Sequence, residues 1–174
     1  MRFLQIGAVF LIPVAAVVLA LTFRSSDPGP RLAVQPQTGS YQATVGRALS
    51  VTAFRIANTS KSKVTITRIR VAHGEPGLSV IGALAYRGCN ACVTTSSVPP
   101  KVTPPPDVAQ PKLLPMSSFV LKPGDTITLL LSVRVTHTGS VHVPPLRIDT
   151  TGPAGSRTID TQPGPVLCAG TKGC

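Results

Sequence analysis

The sequence predicts an all-β fold, an antiparallel β-sandwich of about seven strands. Val, Thr, Ser and Ala dominate a chain that 18 prolines and 15 glycines interrupt, a composition typical of strands and turns. Apolar residues recur with period two in several segments that turn-forming residues separate, most clearly from Ile127 to Val135. After the first 24 residues, no segment shows the 3.6-residue apolar period of an amphipathic helix.

The first 24 residues contain a long apolar segment. The 21 residues from Phe3 to Phe23 carry no charge, and a helix of that length reaches roughly 30 Å, the thickness of a hydrocarbon core. The free amine and Arg2 place positive charge on the N-terminal side. We therefore expect a transmembrane anchor with its N-terminus inside and the remaining chain outside. A signal peptide that is cleaved near Ala20 is the alternative.

The remaining chain divides into a linker at residues 25–36, a sandwich at 37–162 and a C-terminal tail at 163–174. Leu49–Ala57 and Lys63–Val71 are expected to form a hairpin, with a bulge near Thr67 that keeps the apolar residues of the second strand on one face. Residues 98–115 are rich in proline and are expected to form a polyproline-like excursion over the surface. Further strands are predicted at Leu78–Tyr86, Ile127–Thr136, Ser140–Thr150 and Ser156–Thr161.

Two segments carry a resemblance to a known family. Phe54–Ile66 contains a polar turn at Asn58 followed by β-branched residues, and Leu121–Leu131 contains a Pro-Gly turn followed by alternating apolar residues. Both are similar to the bacterial immunoglobulin-like domains of extracytoplasmic proteins, and the overall composition resembles actinobacterial, membrane-anchored examples. The resemblance implies an immunoglobulin-like sandwich outside the cytoplasm. It implies no catalytic residue.

The four cysteines occur as two close pairs, Cys89 with Cys92 and Cys168 with Cys174. An even number in an exported chain favours disulfides, although the sequence leaves their connectivity open. Local pairing is preferred over cross-pairing, because the glycine-containing spacer before Cys174 closes easily. The alternative function is a thiol-redox or metal-binding protein that uses Cys89 and Cys92.

The charge balance is strongly basic, with 17 Lys and Arg against 6 Asp and Glu. Such a surface suits polyanionic neighbours such as lipid headgroups or cell-wall polymers, and export makes nucleic acid an unexpected partner. Lys61, Lys63, Arg68 and Arg70 lie within ten residues on the predicted hairpin. They are the candidates for contact with an anionic surface; the alternative is an ordinary solvated sheet face.

The inventory of catalytic groups is poor. Glu75 is the sole glutamate, the aspartates lie near turns or singly in strands, and the chain contains no nucleophile elbow, phosphate loop or paired carboxylates. His73, His137 and His142 lack the spacing of a zinc site. We therefore expect no catalytic residue, cofactor or metal. The sequence predicts a non-enzymatic, membrane-tethered extracytoplasmic module that contacts proteins or anionic cell-envelope material.

Overall fold

The computed structural model describes residues 29–87, 96–107, 109–114 and 118–170, together with the backbone of residues 93–94. Within this part of the chain the regular structure consists of strands, and no helix has the length and apolar character needed to cross a bilayer. Segment 1–24 lies outside the described residues, so its role as an anchor or signal peptide stays a prediction. The fourteen strands are β1 (Leu32–Pro36), β2 (Ser40–Ala43), β3 (Ala48–Asn58), β4 (Val64–Val71), β5 (Leu78–Arg87), β6 (Val93–Thr94), β7 (Val102–Thr103), β8 (Lys112–Leu114), β9 (Phe119–Leu121), β10 (Thr126–Val135), β11 (Gly139–His142), β12 (Leu146–Gly152), β13 (Gly155–Asp160) and β14 (Val166–Ala169).

Twelve of the strands form two layers, and β6 and β7 form a separate two-stranded sheet. The first layer is an antiparallel sheet of order β1-β3-β10-β5-β8, and the second combines the sheets β13-β12-β4-β9 and β11-β14-β2. Backbone hydrogen bonds from Val143 N to Pro165 O (2.9 Å) and from Gly164 N to Val143 O (2.8 Å) connect the two sheets of the second layer. As a result, β11 and β12 pair with β14 and β13 as one long hairpin that bends where the prolines interrupt it.

This pairing order is that of an immunoglobulin-like sandwich. β1, β3, β10 and β5 follow the A-B-E-D order of one sheet, while β4, β11–β12 and β13–β14 follow the C-F-G order of the other. β2 adds to the second layer by parallel pairing with β14. When β1–β2, β11–β12 and β13–β14 are each counted as one strand, the described residues contain seven principal strands. The predicted fold class is therefore confirmed.

The core lies between the layers. β10 contributes every second residue from Ile127 to Val135, each at most 2% exposed, as the period of two predicts. A fully buried aliphatic or aromatic side chain of this size contributes about 1.5–3 kcal/mol through removal from water. The largest side chains buried from the two layers include Phe54, Ile56, Leu129, Ile66, Leu146, Ile148 and Leu167.

The outer face of the first sheet is partly covered. A bulge at Ile81 separates Val80, which pairs with Val133, from Gly82, which pairs with Ser132. Leu78 and Val80 consequently pack on the core, whereas Leu84 and Tyr86 pack with Leu130 and Val102 on the opposite face. The strand predicted at Leu78–Tyr86 is present, and its bulge divides the apolar residues between the two faces of the sheet. Leu130, on the outer face of β10, is also buried, and Val102 of the proline-rich segment packs against this cluster.

The predicted hairpin between β3 and β4 is wrong. β3 pairs with β1 and β10, whereas β4 pairs with β12 and β9, so the connection at 59–63 crosses from one layer to the other. A polar turn can join two strands of one sheet or two strands in different layers. Here the apolar faces of β3 and β4 are buried against each other's layer. The predicted bulge is confirmed, because Ile66 lies opposite Thr150 and Arg68 opposite Asp149, with Thr67 between them.

The sandwich extends beyond the predicted limits of 37–162. β1 lies within the segment predicted as linker, and β14 lies within the segment predicted as tail. The proline-rich segment 98–115 is also more regular than a polyproline-like excursion, because β7 pairs with β6 and β8 pairs with the edge of β5. Edge positions tolerate prolines beside a strand because one side of the ladder stays unpaired.

Candidate binding surface

The connection between β3 and β4 is shaped by one buried side chain, that of Asn58. Its Nδ2 donates hydrogen bonds to Ser62 O (2.9 Å) and Leu121 O (3.0 Å). Its Oδ1 accepts hydrogen bonds from Ser60 N (3.0 Å) and Ser60 Oγ (2.6 Å). Asn58 is 1% exposed, so these partners replace the water that a buried amide loses. The connection is therefore held in one shape, with Lys61 and Lys63 exposed on it.

The four predicted cations do not form one patch. Lys61 and Lys63 lie on the connection between the layers, whereas Arg68 and Arg70 lie on the outer face of β4. Arg70 Nη1 donates to Asp149 Oδ2 at 2.7 Å, so its charge is compensated. Arg68 is exposed and has no ion pair among the described residues.

The outer face of β4, β12 and β13 carries a second ion pair that sequence reasoning missed. Arg147 Nε and Nη2 donate to the two carboxylate oxygens of Asp160 at 2.7 and 2.8 Å. These hydrogen bonds lower the pKa of Asp160 and, with the charge of Asp160, raise the pKa of Arg147. Register places the two residues opposite each other on β12 and β13. In the sequence, Arg147 and Asp160 are equally distant from the turn at 153–154, so a hairpin around that turn places them opposite each other.

A shallow, hydroxyl-rich cleft of about 310 Å³ lies on the same face. Its carboxylate, Asp149, accepts hydrogen bonds from Arg70 and from Thr158 Oγ1 (2.8 Å). The carboxylate therefore holds the Arg70 and Thr158 side chains in place. The cleft is lined by Thr67, Asp149, Thr150, Thr151, Ser156, Arg157 and Thr158.

A second, more apolar cleft of about 250 Å³ lies beside the proline-rich segment. Leu113, on the edge strand β8, lies at the margin of this cleft and is 57% exposed. The cleft forms because Val102 covers only part of the outer face of the first sheet. Its lining residues are Leu84, Pro100, Lys101, Val102, Gln110, Pro111 and Leu113.

Cys168 is fully buried in β14, between Ser140 and Gln42 on the neighbouring strands. The sulfur accepts a 3.9 Å hydrogen bond from Ser140 Oγ and is in the disulfide-bonded form. The other cysteines, Cys89, Cys92 and Cys174, lie outside the described residues. The local pairing and the redox or metal use of Cys89 and Cys92 therefore stay predictions.

His137 lies in the connection between β10 and β11, and His142 is the last residue of β11. His142 Nδ1 is 3.5 Å from Gly164 O, and His137 lies against Gly77. Among the residues with described positions, no group of three or more His, Cys, Asp or Glu side chains is arranged to hold a metal ion.

Comparison with known proteins adds two distant structural similarities. No protein-family model and no curated protein matches the chain. The VesB protease of Vibrio cholerae is 14% identical, with a TM-score of 0.43 over 79% of this chain and 31% of the protease, so the chain spans about a third of that protein's length. The ASH/PapD-like domain (PapD-like domain 7) of human CEP192 is 10% identical, with a TM-score of 0.41 over 84% of this chain and 89% of that domain.

Proposed function

We propose that this chain is a non-enzymatic, membrane-tethered extracytoplasmic module that contacts anionic cell-envelope material through its basic surface. One observation carries the proposal: three of the five carboxylates in the described residues are paired with arginines, while lysines remain exposed. Asp125, Asp149 and Asp160 each pair with an arginine. Lys61 and Lys63 are exposed on a rigid connection. A surface of this kind attracts polyanions over several ångströms and loses that attraction in salt.

The sandwich acts in this proposal as a rigid support. Because immunoglobulin-like folds serve many unrelated functions, the fold itself does not name a partner. The support from this chain is local: Asn58 fixes the shape of the connection that presents Lys61 and Lys63. A preorganised loop loses little conformational freedom when a ligand binds.

The membrane tether can be tested with the full chain in a bacterial host. We expect the chain to remain in the membrane fraction after high-salt and alkaline washing, and to be digested by protease added outside spheroplasts. Leu11→Arg combined with Val14→Arg should release it, because each charge at the centre of a membrane helix costs about 2.5–3.5 kcal/mol. Recovery of the unmodified chain in the soluble fraction would overturn the tether.

The contact with anionic material can be tested by retention of the detergent-solubilised full chain on dextran sulfate and on neutral dextran. Lys61→Gln/Lys63→Gln is expected to elute from dextran sulfate at clearly lower salt. Arg70→Gln/Arg147→Gln removes the same formal charge from residues that are already paired. Equal shifts for both variants would show that only net charge matters, and no retention at all would favour a protein partner.

A further inference from the structure

The end of the sandwich at which the described chain begins, here called the proximal end, is assembled from several connections. Arg31 O accepts a hydrogen bond from Thr59 N at 3.1 Å, which joins the start of the chain to the connection at 59–63. A Cβ placed on Gly152 would lie 3.5 Å from both Lys63 O and Pro30 Cβ. The turn between β12 and β13 therefore belongs to the same end.

The turn between β9 and β10 completes the proximal end. Gly124 N donates to Asn58 O (3.0 Å), and Asn58 N donates to Asp125 O (2.9 Å), so this turn is fixed on the same connection. Arg87, at the end of β5, donates to Val120 O and pairs with Asp125 at 3.2 Å. Lys112 lies opposite Arg87 in the register of β5 and β8. Strand ends from both layers thus share one surface.

This surface is basic. Five cations at the proximal end are exposed, and the nearby carboxylate of Asp125 is already engaged by Arg87 and by Lys122 N (2.8 Å). At the opposite end of the sandwich, Arg47 and Arg134 are exposed and Glu75 offsets one of them, so the excess of positive charge there is much smaller. The charge of the molecule is therefore unevenly distributed along its length. The five cations are Arg31, Lys61, Lys63, Lys112 and Lys122.

We infer that the proximal end is a docking surface for the anionic lipid headgroups of the membrane that holds the N-terminal segment, an inference that rests on the proposed tether. Five residues, Arg24 to Pro28, separate Phe23 from Gly29. Six Cα–Cα steps of at most about 3.3–3.6 Å each join Phe23 to Gly29, so the linker spans no more than roughly 22 Å. The proximal end is thus held near the bilayer, within reach of a surface potential that decays over about 8 Å at physiological salt.

The choice of anionic lipid headgroups as the partner of the proximal end rests on charge complementarity. Each Lys or Arg near an anionic membrane strengthens association by about five-fold, and the effect falls as salt screens the headgroups. Several cations on a surface of fixed shape can act together without ordering a flexible segment. The tether adds a high effective concentration of headgroups.

The test uses the full chain reconstituted in vesicles of phosphatidylcholine alone or with one third phosphatidylglycerol. Lysines are labelled with an amine-reactive reagent, and the rate at each site is read by mass spectrometry. We expect Lys61, Lys63, Lys112 and Lys122 to react several-fold more slowly in the anionic vesicles, and to recover in 0.5 M NaCl. Equal rates in the two lipids, with the chain still in the vesicles, would overturn docking while the tether stands.

A matched pair of variants tests the location of the surface, with protection of Lys112 as the readout. Lys61→Gln/Lys63→Gln/Lys122→Gln should abolish that protection, because it removes three cations from the proximal end. Arg47→Gln/Arg68→Gln/Arg134→Gln removes the same charge from exposed positions elsewhere and should preserve it. Equal loss in both variants would overturn the inference.

Two further outcomes separate the proposals. Release of the chain from the vesicles by alkaline washing would contradict the tether itself. Protection of the same lysines by soluble dextran sulfate, without protection by phosphatidylglycerol, would identify an anionic polymer as the occupant and would overturn the lipid assignment.

Discussion

At the scale of single residues, Asn58 explains why a basic connection can present its charges in one arrangement. Its side chain joins β3 to β9 and to the connection at 59–63 through bonds to Leu121 O and Ser62 O. The backbone of Asn58 also bonds the turn at 122–125. One buried amide therefore organises much of the proximal end. Replacing it leaves acceptors buried without donors, which is more costly than losing an exposed hydrogen bond.

We expect Asn58→Ala to lower the free energy of unfolding by about 2–4 kcal/mol, because each buried carbonyl left unpaired costs about 1–3 kcal/mol. Urea denaturation followed by far-ultraviolet circular dichroism measures the change. Thr59→Ala is the control: its hydroxyl donates a 3.3 Å bond to Arg31 O at an exposed position. That variant should change stability by less than about 0.5 kcal/mol. Similar losses for both would contradict the organising role of Asn58.

At the scale of elements, the long hairpin of β11–β12 and β13–β14 depends on close backbone contact where it bends. Gly164 donates to Val143 O, and its neighbour Pro165 accepts from Val143 N. A Cβ on Gly164 would lie 2.9 Å from the Val143 Cβ and 3.4 Å from Phe54 Cζ. Because the Val143 Cβ is attached directly to the backbone, it cannot move aside without moving the strand. Glycine is thus required there for space.

Gly164→Ala should therefore destabilise the protein by about 1–3 kcal/mol, the usual range for overpacking. Gly74→Ala provides the comparison, because a Cβ at that position meets nothing within 4 Å. It is expected to be neutral or to stabilise by up to about 1 kcal/mol through the unfolded state. Thermal denaturation of both variants tests this. Equal melting temperatures would show that the bend accommodates a methyl group.

At the scale of the whole molecule, the C-terminal strand β14 completes the second layer. It lies between β11 and β2. Its residue Leu167 is buried in the core with residues of both layers. The pairs are formed between segments that are far apart in sequence, including the parallel pair of β14 with β2. Strand pairs of this kind stabilise the protein only when the whole sandwich is assembled. Stability should thus depend strongly on this last strand.

Leu167→Ala is expected to lower the free energy of unfolding by about 2–5 kcal/mol, because it removes a fully buried side chain and leaves a cavity. Leu113→Ala removes the same groups from a residue that is 57% exposed and should cost less than about 0.5 kcal/mol. Chemical denaturation measures both. A small effect of Leu167→Ala would mean that β14 can detach without loss of the core.

Much of the fold follows from local patterns. The alternation of β10 and the bulge at Thr67 depend on which neighbouring side chains must share a face, so each could be predicted from nearby residues. The turn at Gly124, which has φ of +78°, follows from the preference of glycine for that conformation. The exposure of Lys61 and Lys63 was also predictable, because both lie in a polar connection.

The sequence by itself determined the strand-forming segments, the all-β class and the excess of positive charge, because these depend on residue type and short-range periodicity. Tertiary structure decided that β3 and β4 belong to different layers, and that Arg70 is compensated by Asp149, 79 residues away. It also decided that the proximal end gathers five cations from four separate parts of the chain. Local sequence does not specify such partners, because they are selected by burial of the complementary faces of distant strands.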